Sequence, residues 1–347
     1  MAELEQSPEL QAVSKIKEVA WGLASTGAVV AAVRLGLPDA LGEEPARAED
    51  LAAKVGADTD ALARLLNALA YRGVFQREDD GRYRHNELSR LLRVDDPNSV
   101  SYLVQWIGAA CLWPVWPKLD ESVRTGKAMF PTMYGKEAFD YVYSEEPETG
   151  VVLSHAMTQA SNHTSAAIAE ALDMDGVATI ADVGGGHGHL LRTILERYPG
   201  VHGTLLDLEF VVAGAMPALR EGPLASRCTI LAGDCRKAVP VKADLYVAKN
   251  ILEWKDEYTI ATLRNIAASA APGARVIIIE TLVDHTPEPR VTTALDLLLL
   301  INGGGRKHSS DRVAELFEQA GLRFVGVRGT GTFLSFAEGA VVGRPPA

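Results

Sequence analysis

The chain has 347 residues, 47% hydrophobic and 23% charged, with 34 Lys and Arg against 45 Asp and Glu for a formal net charge of -11. That apolar content excludes wholesale disorder and suits two domains of ordinary size, while the acidic balance disfavours a generally basic surface for nucleic acid. Three cysteines (Cys111, Cys228, Cys235) without close repeated spacing suggest neither a disulfide framework nor a zinc knuckle. The acidic, polar opening MAELEQSPELQ does not read as a secretory or transit peptide. The longest apolar run, 294–301, carries Asp296 and is too short to span a bilayer. A soluble, cytoplasmic protein without a metal, a membrane partner or a nucleic-acid partner is expected.

From the N-terminus, residues 13–35 place apolar side chains at helical spacing, with Lys15, Lys17 and Glu18 among them. Helical patterns follow at 47–55, behind Pro45, and at 58–71, opening on the cap-friendly sequence ADTD. GVFQREDDGRYRH then reads as a hairpin: an apolar strand, an Asp-Asp-Gly turn and an alternating strand. Helix, helix and wing outline a winged helix-turn-helix, which raises DNA binding. The second helix argues against it. TDALARLLNALAY has Arg64 as its only base, whereas a DNA-reading helix needs polar or basic groups for base edges and phosphates. A structural or dimerising role is expected for residues 1–100.

Residues 101–173 are helical and aromatic, with Trp106, Trp113, Trp116, Phe130, Tyr134, Phe139, Tyr141 and Tyr143 in a short stretch. Such rings pack cores, and they also line apolar pockets for flat ligands, which favour domain boundaries. On the second view Trp106, Met157 and His163 are candidate substrate contacts. Over 174–347 strand and helix alternate. VATIADVG, GTLLDL, SRCTILAGD, ADLYVAKN and GARVIIIE read as apolar strands, with HLLRTILERY and DEYTIATLRNIAASA as helices between them. That alternation implies a parallel sheet covered on both faces, an α/β architecture. LRFVGVRGTGTFLSFAEGAVV has two β-rich runs around Gly329-Thr330-Gly331 and is expected to add an antiparallel hairpin at the sheet edge.

Between the first of these strands and its helix stands Asp182-Val183-Gly184-Gly185-Gly186-His187-Gly188. Glycine lets backbone approach a ligand and adopts conformations barred to other residues, and the helix beyond starts with unpaired N–H groups. A dinucleotide fingerprint counted from Gly184 needs a glycine at position 189, which is His189. The glycines alternate instead at 184, 186 and 188. Asp207 ends the second strand, where a carboxylate can accept both hydroxyls of a ribose. Asp234 follows the third strand, within reach of an adenine, and Lys249 closes the fourth; all are counted as cofactor-binding.

With these residues in place the chain resembles S-adenosylmethionine-dependent methyltransferases, specifically the small-molecule O-methyltransferases of plants and bacterial secondary metabolism. It is similar to bacterial members that modify aromatic polyketides, including the anthracycline methyltransferases, and the resemblance covers nearly the whole chain. It implies a Rossmann-like class I sheet, an N-terminal winged-helix-like dimerisation domain, a homodimer and S-adenosyl-L-methionine as cofactor. In that family the loop matching 182–188 holds the methionine part of the cofactor, the acidic residue matching Asp207 binds ribose, and the one matching Asp234 faces adenine. The family often has Phe next, stacking on adenine; here it is Cys235.

In much of the family the fourth strand leads into His-Asp-Trp, whose His takes the substrate's proton. Here the segment reads Lys249-Asn250-Ile251-Leu252-Glu253-Trp254-Lys255-Asp256-Glu257. Trp254 and the acidic helix start match; the His-Asp pair does not, and Leu252 fills the His slot when aligned from Trp254. Some bacterial relatives also lack this His, and that subgroup includes cofactor-retaining enzymes of other chemistry. A sulfonium is already a good leaving group, and alignment of reactants alone can supply ~7–11 kcal/mol, against ~10²–10⁴-fold from a base. Loss of the His is compatible with methylating an acidic phenol, an enol or an activated carboxylate. Glu253 is a candidate base or hydrogen-bond acceptor, or else a helix cap. Asp296 matches a family acidic position near the substrate and joins it as a catalytic candidate. Asn302, opening an expected turn at 302–305, and His308 beyond it are candidate substrate contacts, His308 and His163 being reserve bases. The chain is expected to methylate a hydroxyl of an aromatic, polyketide-like natural product. The alternatives are a cofactor-retaining enzyme for hydroxylation, decarboxylation or rearrangement, and a metabolite-sensing winged-helix regulator.

Overall fold

The computed structural model describes residues 7–342. Its contacts divide the chain into two compact units, one of residues up to 113 together with 148–159, the other of 114–147 and 160 onward.

In the smaller unit the helical run expected over 13–35 is two helices, Pro8–Ala20 and Gly22–Arg34, bent by 42°. Trp21 causes the break: its ψ of 9° leaves the α-helical well, and Ala24 donates to Trp21 in a tight three-residue step. The apolar spacing runs straight through, which hides the bend from the sequence. Helices Ala48–Val55 and Thr59–Ala70 follow; Asp58 Oδ1 caps the second by accepting from Ala61 N at 2.8 Å. Leu62, Leu66 and Leu69 turn into a core with Leu51, Phe75 and Tyr83, and Arg64 stays exposed. Strands β1 (Gln76–Arg77) and β2 (Tyr83–Arg84) pair antiparallel as the expected hairpin.

The larger unit is built on seven strands: β3 (Thr179–Val183), β4 (His202–Asp207), β5 (Cys228–Ala232), β6 (Leu245–Lys249), β7 (Arg275–Glu280), β8 (Leu322–Gly329) and β9 (Ser335–Val341). Their order is β5-β4-β3-β6-β7-β9-β8, with β9 antiparallel to both β7 and β8 and the other pairs parallel. This is the Rossmann-like sheet with an edge hairpin that the alternation and the tail predict. β6 and β7 are buried at almost every residue, as strands covered on both faces must be. One face packs Tyr246, Leu263 and Phe317, the other Leu191, Ile194 and Leu205. From β3 the chain builds outward through β4 and β5, then returns to the other side of β3 with β6 and β7. That reversal opens a crevice at the carboxyl ends of the central strands, where open α/β sheets take their ligands. One local expectation is corrected: residues 302–303 are not in a turn, because helix Pro289–Gly303 runs through them and ends only at left-handed Gly304, φ 69°.

Candidate active site

The alternating glycines are an alternation of backbone conformation. Gly184, Gly186 and Gly188 have φ of 68°, 61° and 84°, the left-handed region that side chains avoid. The loop is packed on its inner side: a Cβ on Gly188 would stand 2.4 Å from Leu219 Cδ1, and one on Gly184 2.4 Å from Ile251 Cδ1. At Gly186 a Cβ would meet nothing within 4 Å, so this side is open. Asp207, at the end of β4, ties itself to the loop, with Oδ2 accepting from Gly186 N at 2.8 Å and Oδ1 from Leu208 N at 2.7 Å. Burial raises its carboxyl above the usual range.

Beneath the loop Asp182 is 1% exposed, and neither carboxylate oxygen makes a well-formed hydrogen bond. Burial pushes its pKa up to about 7, against the pull of Lys249. Lys249 closes β6 and donates from its ammonium to Ser161 Oγ at 2.9 Å; burial brings it down to about 8, opposed by Asp182. Left-handed glycines, an open loop face, a strand-end carboxylate and an unsatisfied buried acid suit a ligand with cationic and hydroxyl-bearing parts. Asp234 follows β5 and holds Arg236 in two hydrogen bonds of 2.9 and 3.0 Å, which keep its carboxyl below the ordinary value. The Arg236 guanidinium also lies 5.7 Å from the Trp254 ring and 5.6 Å from that of Tyr258. No spacing rule singles out this arginine, whose partners lie next door and on a distant helix. Cys235 is buried in the apolar core, its thiol 3.9 Å from Thr262 Oγ1, and burial pushes it up to about 11.

After Lys249 the chain turns sharply. Asn250, φ 53°, is the one non-glycine residue in the left-handed region among the described residues. The turn lays Ile251 against Gly184 and buries Leu252, whose N–H donates to Glu280 Oε1 at 3.0 Å while its carbonyl accepts from Thr259 Oγ1 at 3.0 Å. The residue in the family's His slot is thus a core side chain. Glu253 has 14% of its side chain exposed, and its carboxylate forms an ion pair with the ammonium of Lys307, itself 4% exposed. Burial raises the Glu253 carboxyl, Lys307 counteracts this, and Glu280 adds to the rise. Lys307 N donates to Asp296 Oδ1 at 2.6 Å. The two carboxylates singled out in the sequence therefore meet across one lysine. Sequence reasoning passed over Lys307 because its partner lies 54 residues away.

The substrate candidates are divided between the two units. Trp106 is buried in the smaller unit, where Met157 is 45% exposed. His163 is exposed in the larger unit, and Asn302, on helix Pro289–Gly303, has a buried Oδ1 without a hydrogen-bond partner. Phe130, Tyr134 and Tyr141 pack on one another at ring distances of 4.5–5.5 Å. His308 is 2% exposed, its Nδ1 3.6 Å from Glu280 and its Nε2 3.5 Å from Asp256, which also binds Arg312 at 2.5 Å. Burial works to lower its pKa, but the carboxylates outweigh burial and hold it above the ordinary 6.5. A group raised in the fold stabilises fully below its unfolded pKa, and that stabilisation is lost as pH rises through the folded value. The Tm of wild type should exceed that of His308→Gln most below pH 6.5 and by progressively less as pH rises; a gap that grows with pH would contradict the assignment.

Among the described residues no group of three or more metal-ligand side chains gathers, and no single helix is long and apolar enough to cross a membrane. An O-methyltransferase domain model matches residues 116–323, and an O-methyltransferase dimerisation domain model matches 18–95. The chain is 35% identical over 329 residues to a mitomycin biosynthesis 6-O-methyltransferase of Streptomyces lavendulae, covering 92% of this chain and 94% of that protein. The solved structure of a mitomycin 7-O-methyltransferase matches with a TM-score of 0.88 at 34% identity, over 96% of this chain and 99% of that one. An O-methyltransferase from neocarzinostatin biosynthesis, in complex with S-adenosylmethionine and 2-hydroxy-5-methyl naphthoic acid, matches with a TM-score of 0.78 at 28% identity, over 92% and 96%. Sheet order and glycine loop together define an S-adenosylmethionine-dependent methyltransferase. The chain belongs to the O-methyltransferase family and carries its dimerisation domain.

Proposed function

We propose that this O-methyltransferase acts on a hydroxyl of a planar aromatic natural product, and that Glu253 accepts the hydroxyl's proton. One observation carries the assignment of the base: Glu253 is an acid on the segment that Ile251 packs onto the glycine loop, next to the Leu252 that fills the histidine slot. Relatives named for mitomycin and crystallised with a naphthoic acid support a planar acceptor. The loop 182–188 would hold the methionine part of the cofactor, Asp207 the ribose, and Asp234 with Cys235 the adenine end, while Lys249 sets the charge under the loop. Bound there, S-adenosylmethionine supplies a methyl group on a sulfonium, open to in-line displacement. The chain's own work is to orient the acceptor and take its proton. A carboxyl raised by burial is a better match to a phenol, whose pKa is near ~10, than a solvated one. The unsatisfied Asn302 Oδ1 is offered as an acceptor for a second polar group of the substrate, and His163 as a further contact. Two copies are expected to associate through the dimerisation domain.

Incubation with labelled cofactor and a set of hydroxynaphthoic acids should yield methylated product and S-adenosylhomocysteine in equal amounts. Glu253→Gln should lower kcat by about 10²-fold or more while the cofactor Kd stays within ~3-fold. Product formed without S-adenosylhomocysteine would favour the cofactor-retaining alternative, and an unchanged kcat in Glu253→Gln would remove it as the base.

A further inference from the structure

We propose that Lys307 is a positioning residue of the acid–base apparatus, clamping Glu253 in place as a carboxylate while its own backbone fixes Asp296. The inference rests on the assignment of Glu253 as proton acceptor. Three successive residues make the clamp. Gly305 lies so close to Glu253 that a Cβ there would stand 2.0 Å from the Glu253 carbonyl oxygen. Arg306 N donates to that same oxygen at 3.1 Å. Lys307 then folds back so that its ammonium meets the Glu253 carboxylate and its N–H meets Asp296.

Charge accounts for the need. Glu253 pairs with Lys307 and also feels the charges of Glu280 and His308; the His308 ring lies against both Glu280 and Asp256, and Asp256 binds Arg312. Without Lys307 the buried Glu253 carboxylate would lose the cation that opposes burial, and burial then favours its protonated form. A Glu253 already protonated cannot receive the proton of the acceptor's O–H bond. With Lys307 in place that proton passes to a Glu253 oxygen, Lys307 remains an ammonium, and the proton later leaves to solvent. Removing one partner of a buried pair exposes the other to the full cost of an uncompensated charge, so the lysine acts through Glu253 and need not touch the substrate.

The test compares Lys307→Met, Lys307→Arg, Glu253→Gln and the Glu253→Gln/Lys307→Met double variant of the full chain, with hydroxynaphthoic acids as acceptors. Lys307→Met should lose kcat by about 10²-fold with cofactor Kd within ~3-fold, and the acid limb of its pH–rate profile should move up by about one unit or more. Lys307→Arg should restore the position of that limb. The double variant should be no slower than Glu253→Gln alone, since an amide needs no counter-ion. A second readout is free of turnover: the Tm gap between wild type and Lys307→Met should be widest above neutral pH and close toward pH 4, where Glu253 is neutral in either protein. An unmoved acid limb, a double variant slower by the product of the single effects, or a pH-independent Tm gap would overturn the clamp. A pH-dependent gap in an enzyme that methylates none of the acceptors supports the clamp and counts against the acceptor assignment alone.

Discussion

Asp182→Asn should abolish most of the stability loss that wild type suffers between acid and neutral pH. The Asp182 carboxyl lies under the glycine loop with no well-formed hydrogen bond, and burial lifts it from 3.8 to about 7. The sign follows from linkage. A folded-state pKa above the unfolded one means that the native protein binds the extra proton, so the contribution is complete below the ordinary carboxylate pKa and is lost as pH climbs toward about 7. At ~1.4 kcal/mol per pKa unit the loss is up to about 4 kcal/mol. Asparagine keeps the shape of the neutral acid and cannot ionise. Measured by Tm at pH 4.5 and pH 8, wild type should fall relative to Asp182→Asn by up to roughly 8–16 °C. Lys249 works in the opposite sense at higher pH, since its pKa of about 8 lies below 10.5 and stability returns as it deprotonates. A difference that stays flat over this range would show that Asp182 titrates in the fold as it does in the open chain.

Gly305→Ala should cost the protein both stability and turnover. The added Cβ would stand 2.0 Å from the Glu253 oxygen, 3.1 Å from its carbonyl carbon and 3.2 Å from Trp254 Cα. All three are backbone atoms, so no rotamer change relieves the overlap and the whole segment 253–254 must shift. Overpacking of this kind costs ~1–3 kcal/mol, and an ångström of displacement at a reacting group can cost ~10²-fold in rate. Gly304→Ala is the matching control. Gly304 is left-handed at φ 69°, and its nearest foreign atom is Lys255 Cε at 3.4 Å, so that variant carries backbone strain of ~1–2 kcal/mol and little displacement. Turnover of Gly305→Ala should lie well below that of Gly304→Ala at similar Tm. Equal turnover in the two would detach the 305–307 backbone from catalysis.

The sheet was legible because its central strands β3, β6 and β7 are buried on both faces and so read as apolar runs, and because the edge hairpin carries its own glycine turn. The glycine loop was legible for a related reason: left-handed backbone at 184, 186 and 188 leaves glycine as the fitting residue at each position. What escaped detection depends on contacts between distant segments. Trp21 breaks a helix inside a continuous apolar pattern. Asn302 and Gly303 stay helical although two more glycines follow, so the expected turn was read two residues too early. Leu252 in the histidine slot is explained by its buried position against Thr259 and Glu280, and nothing local announces either partner. Lys307 and Arg236 owe their places to residues that the fold, not the spacing, brings alongside.

Asn250 shows how little surface exposure says about freedom to vary. Its side chain faces solvent, yet its φ of 53° lies where most side chains clash with their own backbone. Glycine fits without penalty and aspartate nearly so, whereas a β-branched residue would strain the corner that sets Ile251 on the loop. The position therefore accepts few side chains without strain, and the direction of the chain leaving β6 is set by the backbone of a residue whose own side chain is exposed.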